Sequence, residues 1–404
     1  MTTTVVLATA AAVALAGCSS SGGSKKKSGG GLNGGSSSSG SSGGAAQNYT
    51  IGFIGALSGS NAQLGINERN GAQLAIDQAN ASGKYKFKVT LLPADSEGDP
   101  AKAPAAATQL ISNAKVIGVI GPAFSGESKA VDPSFCKASP PMPIVTASAS
   151  EGDLQSKGYT CWHRIIPNDN VEGTQGADWL ARTGSKNVFV LDDQSAYGQG
   201  VAGTMGSELK KKGVKVQTGS INGMTTTNYR PIAQKIANSG ADAVFYGGYD
   251  AQAALLAKAL TGAGFKGRRV TGNGGKSSIF TKNAGTAGNG WYFTCGCQDA
   301  TVAPGAKAFA AAYQAKFKTA PSTYSPEAFD VANLFIDSIN KASSSGPVTR
   351  TSLLTALNAE NYKGITTTIK FQSNGEVEAS NLVVNLFRQE SGVIKGLGDI
   401  NQAK

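Results

Sequence analysis

Short β-rich runs alternate with helical segments over most of this sequence, and the alternation limits the possible folds more than any other feature. Each run is followed by Gly, Ser or Asp and then by an alanine-rich or amphipathic stretch, as strands separated by helices are. Ile232 and Ile236 have the i, i+4 spacing of a buried helical stripe, as do Leu256 and Leu260. Because such elements form parallel sheets covered by helices, we predict an α/β fold. The predicted strands are 49–57, 87–95, 116–121, 143–147, 187–193, 214–221 and 243–249.

The alternation breaks once, at Arg164-Ile165-Ile166-Pro167-Asn168-Asp169, and a second series of strands and helices begins just after it. Two lobes follow from this break. In open parallel sheets, ligands bind beyond the carboxyl ends of the strands, so two facing lobes enclose a cleft. This arrangement predicts capture of a solute by hinge closure.

The N-terminus has the pattern of an export signal followed by a tether. An apolar run, 5–16, is too short to cross a bilayer and ends in Leu15-Ala16-Gly17-Cys18, so 1–17 is predicted to be a signal peptide. No Lys or Arg precedes the run, which leaves open a start further upstream. From residue 18 to 47 the chain is mostly Ser and Gly and is predicted to be a flexible tether with a reach of roughly 30 Å.

The formal charge of +11 does not indicate a nucleic-acid partner, because the Lys and Arg residues are scattered rather than gathered on one segment. The stretch after the tether, residues 47–404, is too long for one typical core and suits two domains. No segment after the signal is apolar for long enough to span a membrane.

Four cysteines remain after Cys18, namely Cys136, Cys161, Cys295 and Cys297. In an oxidising compartment an even number suggests bridges, and a bridge between Cys136 and Cys161 would contribute about 3 to 4 kcal/mol by closing a loop. For Cys295 and Cys297, a strained local bridge and two free thiols are both open. Since His163 is the only histidine, a metal site is not expected, and no cofactor is predicted.

Several fragments together resemble the type I periplasmic binding proteins, specifically the branched-chain amino acid (leucine, isoleucine, valine) binding family of ABC transporters. The similar fragments extend from Ile51-Gly-Phe-Ile-Gly-Ala-Leu-Ser-Gly59 to Asn381. They include Asn70-Gly71-Ala72, Asp95 with Asp99-Pro100, Val119-Ile-Gly-Pro122, Thr146-Ala-Ser-Ala-Ser150, Asp193 to Tyr197-Gly198, and Phe245-Tyr-Gly-Gly-Tyr249. Each fragment is weak alone, but their order and spacing are specific.

The resemblance implies two Rossmann-like lobes joined by a multi-strand hinge, with lobe 1 formed by 48–168 and 298–380 and lobe 2 by 169–297 and 381–404. It also implies a lipoprotein anchored through Cys18 to the outer face of the cell membrane, because Leu-Ala-Gly-Cys is similar to a lipobox. A chance cysteine after an alanine-rich leader is the alternative. The expected partners are a small solute, an ABC permease and its ATPase, and the chain is expected to be a monomer.

The loop Ala123-Phe124-Ser125-Gly126 follows a predicted strand and leads into a helix expected to begin near Glu127. A helix N-terminus offers free backbone N–H groups and positive potential that bind a carboxylate. By the resemblance, Phe124, Ser125 and Gly126 contact the ligand, with Ser125 adding its hydroxyl. Ser125 could instead act only as the helix N-cap.

The resemblance also implies a second binding loop, Ala147-Ser148-Ala149-Ser150. In the family, this loop receives the ammonium group of the substrate through a backbone carbonyl, here that of Ser148, and a hydroxyl, here that of Ser150. A polar strand-to-helix turn is the alternative. Tyr197 and Tyr249 match tyrosines that close over the ligand, although both could be core aromatics. Weaker matches place Tyr324 and Leu64 in the pocket, where ordinary packing is equally consistent with their positions.

One departure from the family concerns Gly272-Asn273-Gly274-Gly275, where amino-acid binders carry an acidic residue at the position of Gly274. An ammonium buried without a charge partner is unfavourable. Either Asp250 or Glu327 therefore substitutes, or the ligand is an amide, urea or an aromatic or short carboxylic acid.

An enzyme is not predicted, because the sequence has one histidine, no Gly-x-Ser-x-Gly elbow between a predicted strand and a helix, and no clustered metal ligands. The fragment Gly275-Lys276-Ser277 lacks the first glycine of a P-loop, which would fall at Val270. A ligand-sensing module for a receptor is the alternative function. Because no spanning segment follows Gly398-Asp399-Ile400, we favour a lipoprotein that serves an importer.

Overall fold

The computed structural model describes residues 47–300 and 305–404. These residues all belong to one compact unit of the chain. The predicted signal peptide, Cys18 and the tether up to residue 46 lie outside the described residues. Among the described helices, none combines the length and the apolar character needed to cross a membrane.

The first sheet has five strands in the order β2-β1-β3-β4-β5, and every neighbouring pair is parallel. Side chains alternate between its faces, so that Phe53 and Ile54, both fully buried, belong to different core clusters. These strands are β1 (Gln47–Gly55), β2 (Phe87–Asp95), β3 (Val116–Ile120), β4 (Ile144–Thr146) and β5 (Trp162–Arg164).

Helices cover both faces of the first sheet. One face packs against α1 and α10, which also pack on each other, and against α11. The other face packs against α2 and α3. The helices are α1 (Ala62–Ala81), α2 (Ala103–Ser112), α3 (Ser125–Lys137), α10 (Ser325–Ala342) and α11 (Arg350–Asn358), and α9 (Lys307–Phe317) packs against α1.

The second sheet has seven strands in the order β14-β13-β10-β9-β8-β6-β7. Its strands are parallel from β10 to β7, whereas β13 and β14 pair antiparallel. The strands are β6 (Asn187–Asp192), β7 (Lys215–Ser220), β8 (Ala243–Gly247), β9 (Arg268–Thr271), β10 (Trp291–Cys295), β13 (Asn385–Glu390) and β14 (Val393–Asp399), and a separate pair is β11 (Tyr362–Lys363) and β12 (Thr368–Ile369).

The second sheet is also covered on both faces. Trp179 of α4 and Met205 of α5 pack with Phe245 in one cluster, while Leu256 of α7 packs with Tyr246 in another. Helices on both faces of mostly parallel sheets confirm the predicted α/β class. The remaining helices are α4 (Asp169–Arg182), α5 (Ala196–Lys211), α6 (Arg230–Ala237), α7 (Asp250–Gly262) and α8 (Ser278–Ala284).

Two disulfides are present among the described residues. Cys136, near the end of α3, is bonded to Cys161, which precedes β5, with their Cα atoms 5.4 Å apart. Cys295 and Cys297 are also bonded, with Cα atoms 5.0 Å apart. Of the two states left open for this second pair, the structure has the local bridge.

Candidate functional site

A small cavity, with about 20 Å³ of free space, lies between the loops of the two sheets. These loops leave the carboxyl ends of β3 and β4 in the first sheet and of β6, β8 and β9 in the second. This is the edge at which open parallel sheets bind ligands.

The structure brings eight of the nine predicted ligand-binding residues to this cavity. The first sheet and its helices contribute the predicted Leu64, Phe124, Ser125, Ser148 and Ser150. The second sheet contributes Tyr197 and Tyr249, and Tyr324 comes from the turn before α10. The ninth residue, Gly126, lines an adjoining outer cavity of about 220 Å³.

Ser125 is the first residue of α3, two residues earlier than the predicted helix start near Glu127. Phe124, not Ser125, is the N-cap, and its N–H donates to Glu127 Oε2 over 3.1 Å. The N-cap interpretation of Ser125 is therefore wrong. The first backbone N–H groups of a helix lack partners within it, and those of α3 begin at the cavity wall, where they can bind an anion.

The side chain of Ser125 also links the two loops of the first sheet, because its Oγ accepts a hydrogen bond from the N–H of Glu151 over 3.1 Å. Ser148 makes a second link, since its hydroxyl donates to the carbonyl of Ala123 over 2.6 Å. These bonds hold the polar groups of the 123–126 and 147–150 loops in fixed positions around the cavity.

Ser150 lies next to a buried carboxyl group. Burial and the charge of Glu172 raise the pKa of the neighbouring Asp169 carboxyl well above its usual range. Ser150 Oγ makes no hydrogen bond of normal geometry with the described residues. Its hydroxyl is therefore available to a ligand in the cavity.

Aromatic side chains close the cavity from the second sheet. The Tyr249 ring meets the Phe124 ring edge-on across the two sheets, with centroids 5.1 Å apart, and lies 5.4 Å from the Tyr197 ring. The Tyr197 hydroxyl accepts a hydrogen bond from the N–H of Gly274 over 3.1 Å. Phe124 and Tyr249 also line the outer cavity, so this ring pair separates the inner cavity from the outer one.

Gly274 lies directly against these tyrosines. A Cβ atom at this position would come within 2.6 Å of Tyr197 Cε1 and 2.9 Å of the Gly248 carbonyl oxygen, both closer than carbon contacts allow. Its neighbour Asn273 is held by Glu172, which accepts from the Asn273 N–H over 3.0 Å. The glycine therefore lets the rings occupy the space that a larger side chain would need.

Neither of the acidic residues expected to replace the missing acid at position 274 lines the cavity. The Asp250 carboxylate accepts from the Ser277 hydroxyl and from the N–H of Ala251. Glu327 accepts from the N–H of Gln298 over 2.7 Å. The lining of the cavity therefore does not support the expectation that one of them substitutes.

The carboxyl group that does line the cavity belongs to Glu68 on α1, a residue outside every predicted site. Glu68 is 1% exposed, and burial raises its pKa well above the usual range, against a smaller lowering by Ser148. Glu68 follows Leu64 by four residues, which places both on one face of a helix, but this spacing does not distinguish Glu68 from a solvated acid.

Known proteins are similar to this chain over most of its length. A sequence model of the family described as periplasmic binding proteins matches residues 48–386. The Leu/Ile/Val-binding protein homolog 3 of Brucella melitensis is 28% identical over 359 residues, which cover 87% of this chain and 94% of that protein. The leucine-, isoleucine-, valine-, threonine- and alanine-binding protein of Pseudomonas aeruginosa is 26% identical, covering 83% of this chain and 88% of that protein.

Solved structures have the same fold. The branched-chain amino acid transporter substrate-binding protein of Streptococcus pneumoniae, solved in complex with isoleucine, superimposes with a TM-score of 0.78 at 24% identity, covering 87% of this chain and 100% of that one. A leucine-binding protein of Thermotoga maritima also superimposes with a TM-score of 0.78, at 21% identity, covering 88% of this chain and 99% of that one.

Proposed function

Because this chain belongs to the periplasmic binding protein family, we propose that it captures an amino acid, or a related small carboxylate or amide, between its two sheets for an ABC importer. Members of the family are extracytoplasmic solute-binding proteins rather than enzymes. The named relatives bind branched-chain and other small amino acids, which supports an amino acid as the first ligand to test.

The observation that carries the proposal is the polarity of the cavity. One wall holds the first N–H groups of α3 beside Ser125, which suit a carboxylate. Another wall holds Ser148, Ser150 and the Glu68 carboxyl, which suit a hydrogen-bond donor or a cation. Rings from the second sheet cover the space between them, and aromatic rings add apolar contact area.

Delivery to a permease requires the protein to stay near the membrane. We propose that Cys18 carries the lipid, that 19–46 forms the tether, and that the body is a monomer that closes by hinge motion between its two predicted lobes. The partners are then an ABC permease and its ATPase. Labelling with a radioactive fatty acid would test this anchor, because Cys18→Ala should remove the label from the protein.

We expect Ser125→Ala and Tyr249→Ala each to weaken solute binding by at least about tenfold. The first change removes a polar group beside the α3 N-terminus, and the second removes a ring that contacts both Phe124 and Tyr197. A thermal-shift screen of amino acids, amides and small acids identifies the ligand, because a solute that binds only the folded state raises the melting temperature. Titration calorimetry with that ligand then gives the affinities.

Two variants serve as controls for these changes. Ser134→Ala alters an exposed serine on the same helix, and Tyr249→Phe keeps the ring, so both should bind nearly as the unchanged protein does. If folded protein responds to no solute in the screen, the proposed function is wrong. If the two alanine variants bind as tightly as the controls, the site assignment fails although the function stands.

A further inference from the structure

We infer that Glu68 is the group that pairs with the ammonium nitrogen of the ligand, and that the ligand is therefore an α-amino acid rather than a simple carboxylic acid or a neutral amide. This inference rests on the proposed function and specifies its substrate class. It also resolves the departure at Gly274, because the counter-charge comes from α1 instead of from the loop after β9.

The geometry of Glu68 carries the inference. Its side chain lines the cavity, the residue is 1% exposed, and its Oε2 atom has no hydrogen-bond partner among the described residues. A buried carboxyl oxygen without a partner is unfavourable unless something absent from the folded chain satisfies it. A ligand in the cavity is in position to do so.

The neighbours of Glu68 indicate which part of the ligand it meets. Ser148 lies beside the carboxyl, and the Ser148 hydroxyl donates its proton to the Ala123 carbonyl. Glu68 therefore adjoins the 147–150 loop, and the α3 N-terminus at Ser125 forms another part of the same cavity wall. The Glu68 carboxyl at one part of the wall and the helix amides at another part match the two charged ends of an amino acid.

The charges around Glu68 favour a cation over a neutral ligand. The charged groups that act on it are Glu127 on α3 and Glu327 on α10, both of which raise its pKa, and Tyr324 at the start of α10 lies close enough for the two groups to affect each other. No ion pair with Lys or Arg is formed by Glu68 within residues 47–300 and 305–404. An ammonium group would supply the missing positive charge in a site of low dielectric constant.

The test compares wild-type protein with Glu68→Gln after exhaustive dialysis. The ligands are three matched pairs that differ only in the amino group: L-leucine and 4-methylpentanoate, L-valine and 3-methylbutanoate, and L-alanine and propanoate. In the pair that binds best, wild type should bind the amino acid more tightly than the deaminated acid. In Glu68→Gln, binding of that amino acid should weaken by about a hundredfold, while binding of the deaminated acid should change by less than about threefold. Glu208→Gln on α5, which alters a carboxylate paired with the exposed Lys211, is the matched control.

The affinity of wild type should also depend on pH in one direction. Below the raised pKa, Glu68 is protonated and must release its proton to pair with an ammonium, so affinity falls by up to about tenfold per pH unit as pH decreases. Above that pKa the affinity levels off. Calorimetry in buffers of different ionisation enthalpy should detect the released proton, and Glu68→Gln should show neither the pH dependence nor the proton release.

The outcomes separate this inference from the function on which it rests. If wild type binds a small acid or amide and Glu68→Gln binds it equally well, or if the amino acid binds both proteins alike, the inference is overturned and the binding function stands. If wild type binds no solute of any class, the proposed function itself fails. A circular dichroism spectrum like that of wild type shows that Glu68→Gln is folded.

Discussion

Replacing Arg164 with alanine is expected to lower the free energy of unfolding by about 3 to 5 kcal/mol, because it leaves a buried carboxylate without its charge partner. Arg164 is fully buried, and its guanidinium forms an ion pair with Glu376. It also donates to the carbonyls of Ala149 and Glu151 over 3.0 and 2.9 Å. Urea unfolding followed by circular dichroism measures the change.

The same substitution should weaken solute binding, since the Ala149 and Glu151 carbonyls flank Ser150 in the cavity wall. Lys370→Ala is the control, because it removes an ion pair with Glu378 in which both side chains are exposed. Such surface pairs contribute about 0 to 1 kcal/mol. Equal unfolding midpoints for the two variants would contradict the structural role of Arg164.

Introducing an acid at position 274 is expected to weaken solute binding by at least about a hundredfold. The new Cβ atom would lie 2.6 Å from the Tyr197 ring and 2.9 Å from the Gly248 carbonyl, so Gly274→Asp must displace buried groups that form the cavity. The added carboxylate would also lie near Glu172, whose pKa burial raises to about 7, and like charges in a buried site repel each other.

Gly274→Ala should produce a smaller loss of the same kind, since it adds the Cβ atom without the charge. The matched control is Gly203→Ala on α5, because a Cβ atom there meets no other atom within 4 Å. Titration calorimetry compares the three variants. Stronger binding by Gly274→Asp would contradict the roles proposed for Glu68 and the tyrosines in binding.

Much of the fold could be predicted from the sequence because many of its strands are short apolar runs bounded by Gly, Ser or Asp. The predicted strand 87–95 has the same bounds as β2, and 243–249 differs from β8 only by two residues at its end. The later strands of the second sheet, β9, β10, β13 and β14, were not recognised. β14 is largely exposed and contains two glycines, so it lacks the apolar pattern on which strand prediction depends.

The candidate site was predicted mainly where a residue follows a strand. Ser125, Ser148 and Tyr249 each come at or soon after the end of a predicted strand, and parallel strands bring their carboxyl ends to one edge of a sheet. Glu68 lies within a helix, so nothing local distinguishes it from a solvated acid. Its role depends on how α1 packs beside the 147–150 loop, which is a tertiary contact without a signal in the local sequence.

Native mass spectrometry of the purified chain decides whether one small amino acid is captured between the two sheets. We predict a single added mass per chain that disappears on denaturation and belongs to an α-amino acid, either retained from the cell or taken up from a millimolar mixture. Loss of this adduct in Glu68→Gln and Ser125→Ala would place it in the cavity. A chain that stays bare in the presence of amino acids, small acids and amides would contradict solute capture at this site.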